Sequence, residues 1–154
     1  MTDDHGGQSM TGDRLQTARR LYEAFAAHDA AALLAVLAPG FRGVVAEGMP
    51  QGLGGAYDGA ETMLRECWAR VFELLELRPV PAEYLLAAGD RMVVLGRYEG
   101  TARGTGRPLS AAFAHVLRIA DGRVRELVQV TDTARWHDAL GSPAPGAQPP
   151  APPR

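Results

Sequence analysis

The chain has 154 residues, 16 basic and 18 acidic side chains, a formal net charge of −2 and a single cysteine, Cys67. This length suits one domain burying roughly two-thirds of its unfolded surface, and one cysteine excludes an internal disulfide or cysteine-based zinc site and suits a reducing cytoplasm. There is no Lys/Arg cluster for nucleic acid, no apolar run near the ~18 residues of a membrane span and no basic start to an export signal, so the expectation is a cytoplasmic protein with neither kind of partner.

Residues 1–12 hold Gly, Ser, Thr and Asp with little apolar content and are expected to be a loose tail, because they cannot offset the entropy of ordering. From Asp13 onward Leu15, Ala18, Leu21, Tyr22 and Phe25 recur at three- and four-residue spacing, the stripe of an amphipathic helix. His28 falls in a junction, where a solvated linker residue is expected. Asp29 is the expected N-cap of a second short helix, with Leu33, Leu34 and Leu37 inward before Pro39-Gly40 stops it. Phe41 to Glu47 read as a first strand. The next stretch, GMPQGLGGAYDG, has five glycines and a proline, is longer than a plain connection requires, and is predicted to be a flap over a pocket mouth. It lacks both the GxGxxG order and the GK[ST] ending, so nucleotide binding is not expected. Asp58 with Glu61 forms a capping-box-like start to a long helix whose apolar face includes Met63, Leu64, Cys67, Trp68, Val71, Phe72 and Leu75, and Pro79 and Pro81 are expected to end it.

Strands are predicted at about 82–88, 91–101, 109–119 and 124–131, a four-stranded antiparallel meander with the first strand added at an edge. Asp121-Gly122 between two Val/Leu/Ile-rich runs is a strong hairpin signal. Two registers are open. A two-residue turn sets Arg118 against Arg125 and places His115 and Gln129 on opposite faces. A three-residue loop, Ala120-Asp121-Gly122 with a bulge at Gly122, puts Phe113, His115, Leu117, Leu127 and Gln129 on one face and lets Arg118 reach Glu126. The second is favoured, because like charges directly opposite cost a few tenths to about 1 kcal/mol. Asp132-Thr133 then caps a short helix over 134–140, and residues 141–154 form a Pro/Ala-rich stretch expected to be disordered. The predicted domain spans residues 13–140.

This order resembles the nuclear-transport-factor-2-like, or SnoaL-like, superfamily. The residues that carry the resemblance are Arg20 to Phe25 with Ala27-His28-Asp29, Tyr57-Asp58-Gly59, and His115 to Val124. It implies a cystatin-like α+β barrel in which a curved, mostly antiparallel sheet wraps a long helix and an N-terminal helix pair around a conical apolar pocket, commonly in a homodimer through the sheet's outer face. The superfamily hosts polyketide cyclases, ketosteroid isomerases, epoxide hydrolases, dehydratases and non-catalytic binders, so the fold implies no single reaction. Leu64 to Ala69 look like the isomerase helix whose aromatic pair lines the steroid site, which implies that Cys67 and Trp68 line this pocket. The isomerase's oxyanion-hole tyrosine falls on Leu21, its oxyanion-hole acid on His115 and its general-base aspartate on Val45, with Glu47 two residues on. The cyclases' pocket histidine matches His115, but their acid/base aspartate matches Gln129, which cannot transfer protons near neutrality.

His115 lies mid-strand among apolar residues, either as an ordinary hydrogen-bonded core imidazole or as a pocket base tuned by burial. Glu47 ends an apolar strand before the flap, where burial would raise a carboxyl pKa. These two are the candidate catalytic residues. Gln129 and Tyr57 are candidates to position substrate oxygens, Trp68, Phe113, Leu127 and Cys67 to form the wall, and Arg97 to touch substrate or pair with Glu99. No His/Asp/Glu set has metal-ligand spacing and no Ser or Cys sits in a nucleophile motif, so no metal or cofactor is expected. The expected function is cofactor-independent cyclisation or isomerisation of an apolar, carbonyl-bearing metabolite; a non-catalytic ligand-binding or dimeric interaction protein is the alternative. The epoxide hydrolases' Asp-Arg-Asp set has no complete match.

Overall fold

The computed structural model describes residues 5–141; the start of the expected N-terminal tail and nearly all of the Pro/Ala-rich stretch lie outside the described residues. Helix α1 (His5–Ala26) starts at His5, not Asp13. Once Ala18, Leu21, Tyr22 and Phe25 are buried against the sheet, each preceding residue adds one hydrogen bond at the low cost of helix propagation, which local composition does not convey. Among the described residues, no helix is long and apolar enough to cross a membrane.

His28 turns the chain with φ 51°. It is exposed, yet its Nε2 donates to the Leu77 carbonyl at 3.1 Å and its ring stacks on Phe72 at 4.5 Å, so it is anchored rather than solvated on all sides. The Asp29 carboxylate caps α2 (Ala30–Val36) by accepting the Ala32 N–H at 3.0 Å, as its position predicts. The helix ends earlier than expected. Leu37 already opens β1 (Leu37–Val45), and Pro39-Gly40 lie inside that strand.

A second correction concerns the flap. Residues Gly55–Asp58 form β2, antiparallel to β1 at the sheet edge, and Met49, Pro50 and Leu53 in the preceding stretch are buried. Asp58 is the exposed last residue of that strand, 4.0 Å from Arg42, and makes no capping bond. Gly59 occupies the N-cap position of α3 (Ala60–Met63) instead. A π-helical turn over Leu64–Trp68 follows, in which the Ala69 N–H reaches the Leu64 carbonyl, and α4 (Ala69–Leu74) continues from it. The wider turn shifts the helix phase and leaves the consecutive residues Cys67 and Trp68 both buried.

Pro79 and Pro81 do not end the helix. The helix stops at Leu74, and both prolines lie within β3 (Leu75–Leu86). That is tolerable because β3 is the other edge of the sheet and pairs only with β4 (Arg91–Ala102); period-two spacing sends both missing N–H groups to one side. Opposite Pro81 and Leu77, β4 places Gly96 and Gly100. A Cβ on Gly96 would lie 2.7 Å from the Phe113 ring, and one on Gly100 2.6 Å from Leu77 Cα. Glycine at these positions lets the edge strand approach closely and the sheet curl.

β5 (Pro108–Ala120) and β6 (Arg123–Thr131) complete the order β2-β1-β6-β5-β4-β3, with β1 parallel to β6 and one place in from the edge. The hairpin register differs from both simple alternatives. Asp121 and Gly122, at φ 54° and 71°, make a two-residue turn that pairs Ala120 with Arg123 and Ile119 with Val124. A bulge then leaves Arg125 unpaired, beyond which Arg118 faces Glu126 and His115 faces Gln129. The three-residue loop is therefore wrong, while the shared face of His115 and Gln129 is right. Helix α5 (Thr133–Leu140) closes the described chain, with Asp132 at its N-cap making no side-chain capping bond.

Candidate functional site

The concave face of the sheet and the helices across it enclose one apolar cavity. Val45, Leu127, Tyr98, His115 and Gln129 form the sheet side; Phe25, Met63, Cys67, Trp68 and Trp136 close it from the helices. Its volume is about 40 Å³. That holds a few waters and is far below the several hundred cubic ångströms occupied by a metabolite-sized ligand. Met49, Met63 and Phe72 stand in the wall. Unbranched methionines change rotamer at low cost, so Met49 and Met63 are the side chains whose movement would enlarge the space.

The polar end of the cavity is a continuous hydrogen-bond chain from four elements. The Ala46 N–H donates to Gln129 Oε1 at 3.3 Å, and Gln129 Nε2 donates to the Tyr98 hydroxyl at 2.8 Å. Tyr98 Oη lies 2.6 Å from His115 Nε2, and Tyr22 Oη lies 2.8 Å from His115 Nδ1. His115 is 2% exposed, and burial pushes its imidazole down to about 3, so the ring is neutral at physiological pH. Burial raises both tyrosine hydroxyls above the ordinary value, most strongly opposed at Tyr98 by the bond from Gln129. Cys67 is pushed up to about 12, again by burial, and is an unreactive thiol. Phe113 stacks against the His115 ring with centroids 4.1 Å apart and holds its plane.

Trp68, Leu127, Cys67, Gln129 and His115 thus come together as the sequence led us to expect. Phe113 does not form cavity wall; it packs behind His115 and Tyr98. Glu47 is not a cavity base: β1 ends at Val45, which does line the cavity, and two residues further on the chain has entered a turn where Glu47 is exposed. Tyr57 lies on the edge strand and donates its hydroxyl to the Leu53 carbonyl at 2.7 Å, so it positions the flap and not a ligand. Arg97 points to the outer face and is exposed, 3.7 Å from Glu99 and bonded to Ser110 at 3.1 Å.

Sequence reasoning missed Tyr22 and Trp136, and for Tyr98 it allows a hydroxyl donor without fixing its direction. Leu21 is buried and offers no donor, while its neighbour Tyr22 directs its hydroxyl at His115 and not into the cavity. The inward alternation Met92, Val94, Gly96, Tyr98 was a readable signal for Tyr98. Trp136 is 1% exposed and donates to Thr131 Oγ1 at 3.1 Å, a contact no local pattern announces.

A coiled, mostly antiparallel six-stranded sheet closed by helices over a buried polar–apolar cavity defines a small α+β pocket protein. This chain belongs to the SnoaL-like domain family, whose model matches residues 18–127. An NTF2-like protein of unknown function from Burkholderia pseudomallei is 35% identical, with TM-score 0.76 over 84% of this chain and 98% of that one. TerC, crystallised with polyporic acid, is 28% identical, with TM-score 0.75 over 84% and 99% of the two chains. A Jannaschia protein named after the SnoaL-like polyketide cyclases is 24% identical, with TM-score 0.72 over 86% and 94%, a likeness of fold alone. A comparison with curated proteins gives no match.

Proposed function

We propose that this chain binds an apolar, carbonyl-bearing small molecule in the cavity and promotes its cyclisation or isomerisation without a cofactor. It does so by holding a reactive conformer against fixed hydrogen-bond donors, not by moving a proton through His115 or Glu47. The observation that carries this reading is the chain Gln129–Tyr98–His115–Tyr22 at the polar end of an otherwise apolar cavity. That TerC, 28% identical, is crystallised with a small molecule supports a ligand-binding role for this fold. Because the cavity is small and His115 is neutral, a non-catalytic ligand-binding protein is the rival reading.

The test is acceleration of ring closure of short poly-β-ketone thioester mimics, followed by mass spectrometry. His115 ionises near 3 and Cys67 near 12, so turnover is expected to be flat between about pH 6 and 9 once the substrate's own ionisation is subtracted. A rate inflection near 6.5 lost in His115→Gln would restore the acid/base version. Binding of the mimics without acceleration would favour the rival.

The partner we propose is a second copy of the chain on the sheet's outer face. One row of paired residues crosses that face: Val44, Val128, Val116, Val93 and Leu85 on five successive strands. Val130, 59% exposed, lies beside it. An apolar band spanning a sheet is costly to leave in water, and an isologous dimer covers it on both copies at once. Sedimentation is expected to give a dimer at micromolar concentration and a monomer for Val116→Glu. A monomeric wild type at tens of micromolar would refute the pairing.

A further inference from the structure

We propose that Tyr98 is the specificity-determining residue of this cavity: its hydroxyl proton is directed at the ligand, and it selects molecules that present an acceptor oxygen, such as a ketone, enolate or quinone carbonyl, on an apolar frame. This rests on reading the cavity as a ligand site and adds which atom of the protein meets which atom of the ligand.

The assignment follows from counting donors. The Ala46 backbone N–H can only donate, so the oxygen of the Gln129 amide faces it and the NH₂ faces Tyr98. Gln129 therefore donates to Tyr98. At the other end, Tyr22 is 3% exposed, lies outside the cavity lining, and has His115 Nδ1 as its hydrogen-bond partner among the described residues. Its proton has to go to Nδ1, since a stranded buried donor costs about 1–3 kcal/mol. A neutral imidazole that accepts at Nδ1 carries its hydrogen on Nε2, and that hydrogen is donated to Tyr98 at 2.6 Å. The Tyr98 oxygen thus accepts from both Gln129 and His115, which fills its two acceptor sites. Its own proton has no remaining partner among the described residues, and Tyr98 lines the cavity.

In the opposite tautomer, Tyr98 would donate to Nε2 and Nδ1 would donate to Tyr22. That arrangement strands the Tyr22 proton where no ligand or water from the cavity reaches it, and is the costlier one. The indole N–H of Trp136 is already engaged with Thr131. What the polar end offers a ligand is thus a donor, fixed in direction by two hydrogen bonds to its oxygen. A ligand hydroxyl there would have to leave its own proton unpaired, which disfavours alcohols relative to ketones of the same shape.

The experiment uses acetophenone, 1-phenylethanol and ethylbenzene as matched probes, titrated by NMR against wild type and Tyr98→Phe. The wild type is expected to bind acetophenone more tightly than 1-phenylethanol, with the carbonyl stretch of bound acetophenone shifted to lower frequency. Tyr98→Phe is expected to lose about three- to tenfold in acetophenone affinity, one neutral hydrogen bond, with the stretch returning towards its apolar-solvent value and ethylbenzene binding unchanged. If none of the probes binds the wild type, the ligand-site reading itself fails. If ethylbenzene and acetophenone bind but Tyr98→Phe weakens both alike and leaves the stretch in place, the reading of the site stands and the assignment to Tyr98 is overturned. Should Tyr98→Phe not fold, ¹⁵N NMR of the wild-type His115 ring decides: hydrogen on Nε2 is required, and hydrogen on Nδ1 overturns the proposal.

Discussion

Replacing His115 with leucine is expected to lower folding stability by about 1–4 kcal/mol, because it removes the shared partner of two buried hydroxyls. Tyr22 and Tyr98 are 3% and 7% exposed, and both lose their bond to the ring. A stranded buried polar group costs about 1–3 kcal/mol, more than a formed hydrogen bond contributes, so the stranded Tyr22 hydroxyl, with the one bond lost by Tyr98 (which keeps that from Gln129), outweighs the apolar gain of leucine. The effect should be non-additive. In the His115→Leu background Tyr22→Phe removes an already orphaned hydroxyl and should recover stability, whereas in the wild type it leaves Nδ1 without its donor and should be destabilising. Urea denaturation of the two single variants and the double variant measures this coupling, expected at about 1 kcal/mol or more. Strict additivity would mean that the hydroxyl and the imidazole do not depend on each other.

Acidification is expected to have the next largest effect, with His115 its main source. The folded-state ring is held down at about 3 by burial, against 6.5 for a free imidazole. Below about pH 6.5 the unfolded chain takes up a proton that the folded chain refuses until about pH 3. The stabilising contribution is therefore complete above 6.5 and is lost progressively as pH falls through that window. The slope approaches about 1.4 kcal/mol per pH unit, or roughly 2–3 kcal/mol between pH 6.5 and 4.5. Comparing unfolding free energies of wild type and His115→Gln at pH 7.5 and 4.5 isolates this contribution from that of the carboxylates. An equal loss in both proteins would show that the imidazole is not the group responsible.

These two effects bear on function because they share a cause. A histidine buried and bonded on both sides is a rigid, neutral strut that orients Tyr98. His115, which the resemblance sets on the cyclases' histidine, lines the cavity, and Gln129, which it sets on their aspartate, points at a hydroxyl and not at a base. A mechanism built on conformer holding and a directed donor uses what these side chains can supply.

Several local expectations failed for one reason: each judged a residue by its neighbours in the chain. Glu47 was assumed to continue a strand that had already turned. Pro79 and Pro81 are poor strand residues in general and acceptable in β3 only because nothing pairs along its outer edge. Asp58 and Glu61 have the spacing of a capping box, but pairing with β1 draws Asp58 into β2 first. The hairpin shows both sides. Its turn lies at Asp121-Gly122 as the dipeptide indicates, and avoidance of an Arg118–Arg125 pair places His115 and Gln129 on one face. The bulge that achieves this sits at Arg125, whose guanidinium reaches back to Asp121 at 2.9 Å.

The sequence by itself determined the architecture: the stripe of α1, the capped α2, the long strands of β4 to β6 and the apolar helix face over them are short-range periodicities, and burying one face of each leaves few arrangements. Which hydroxyl meets which ring nitrogen was decided only in the tertiary structure. Tyr22 and His115 are 93 residues apart and Tyr98 and His115 are 17 apart. Their bonds depend on how far the sheet coils at Gly96 and Gly100 and on where α1 comes to rest across it. Periodicity specifies the face a side chain occupies, whereas hydrogen bonding requires placement to a few tenths of an ångström, and that placement comes from packing the whole domain.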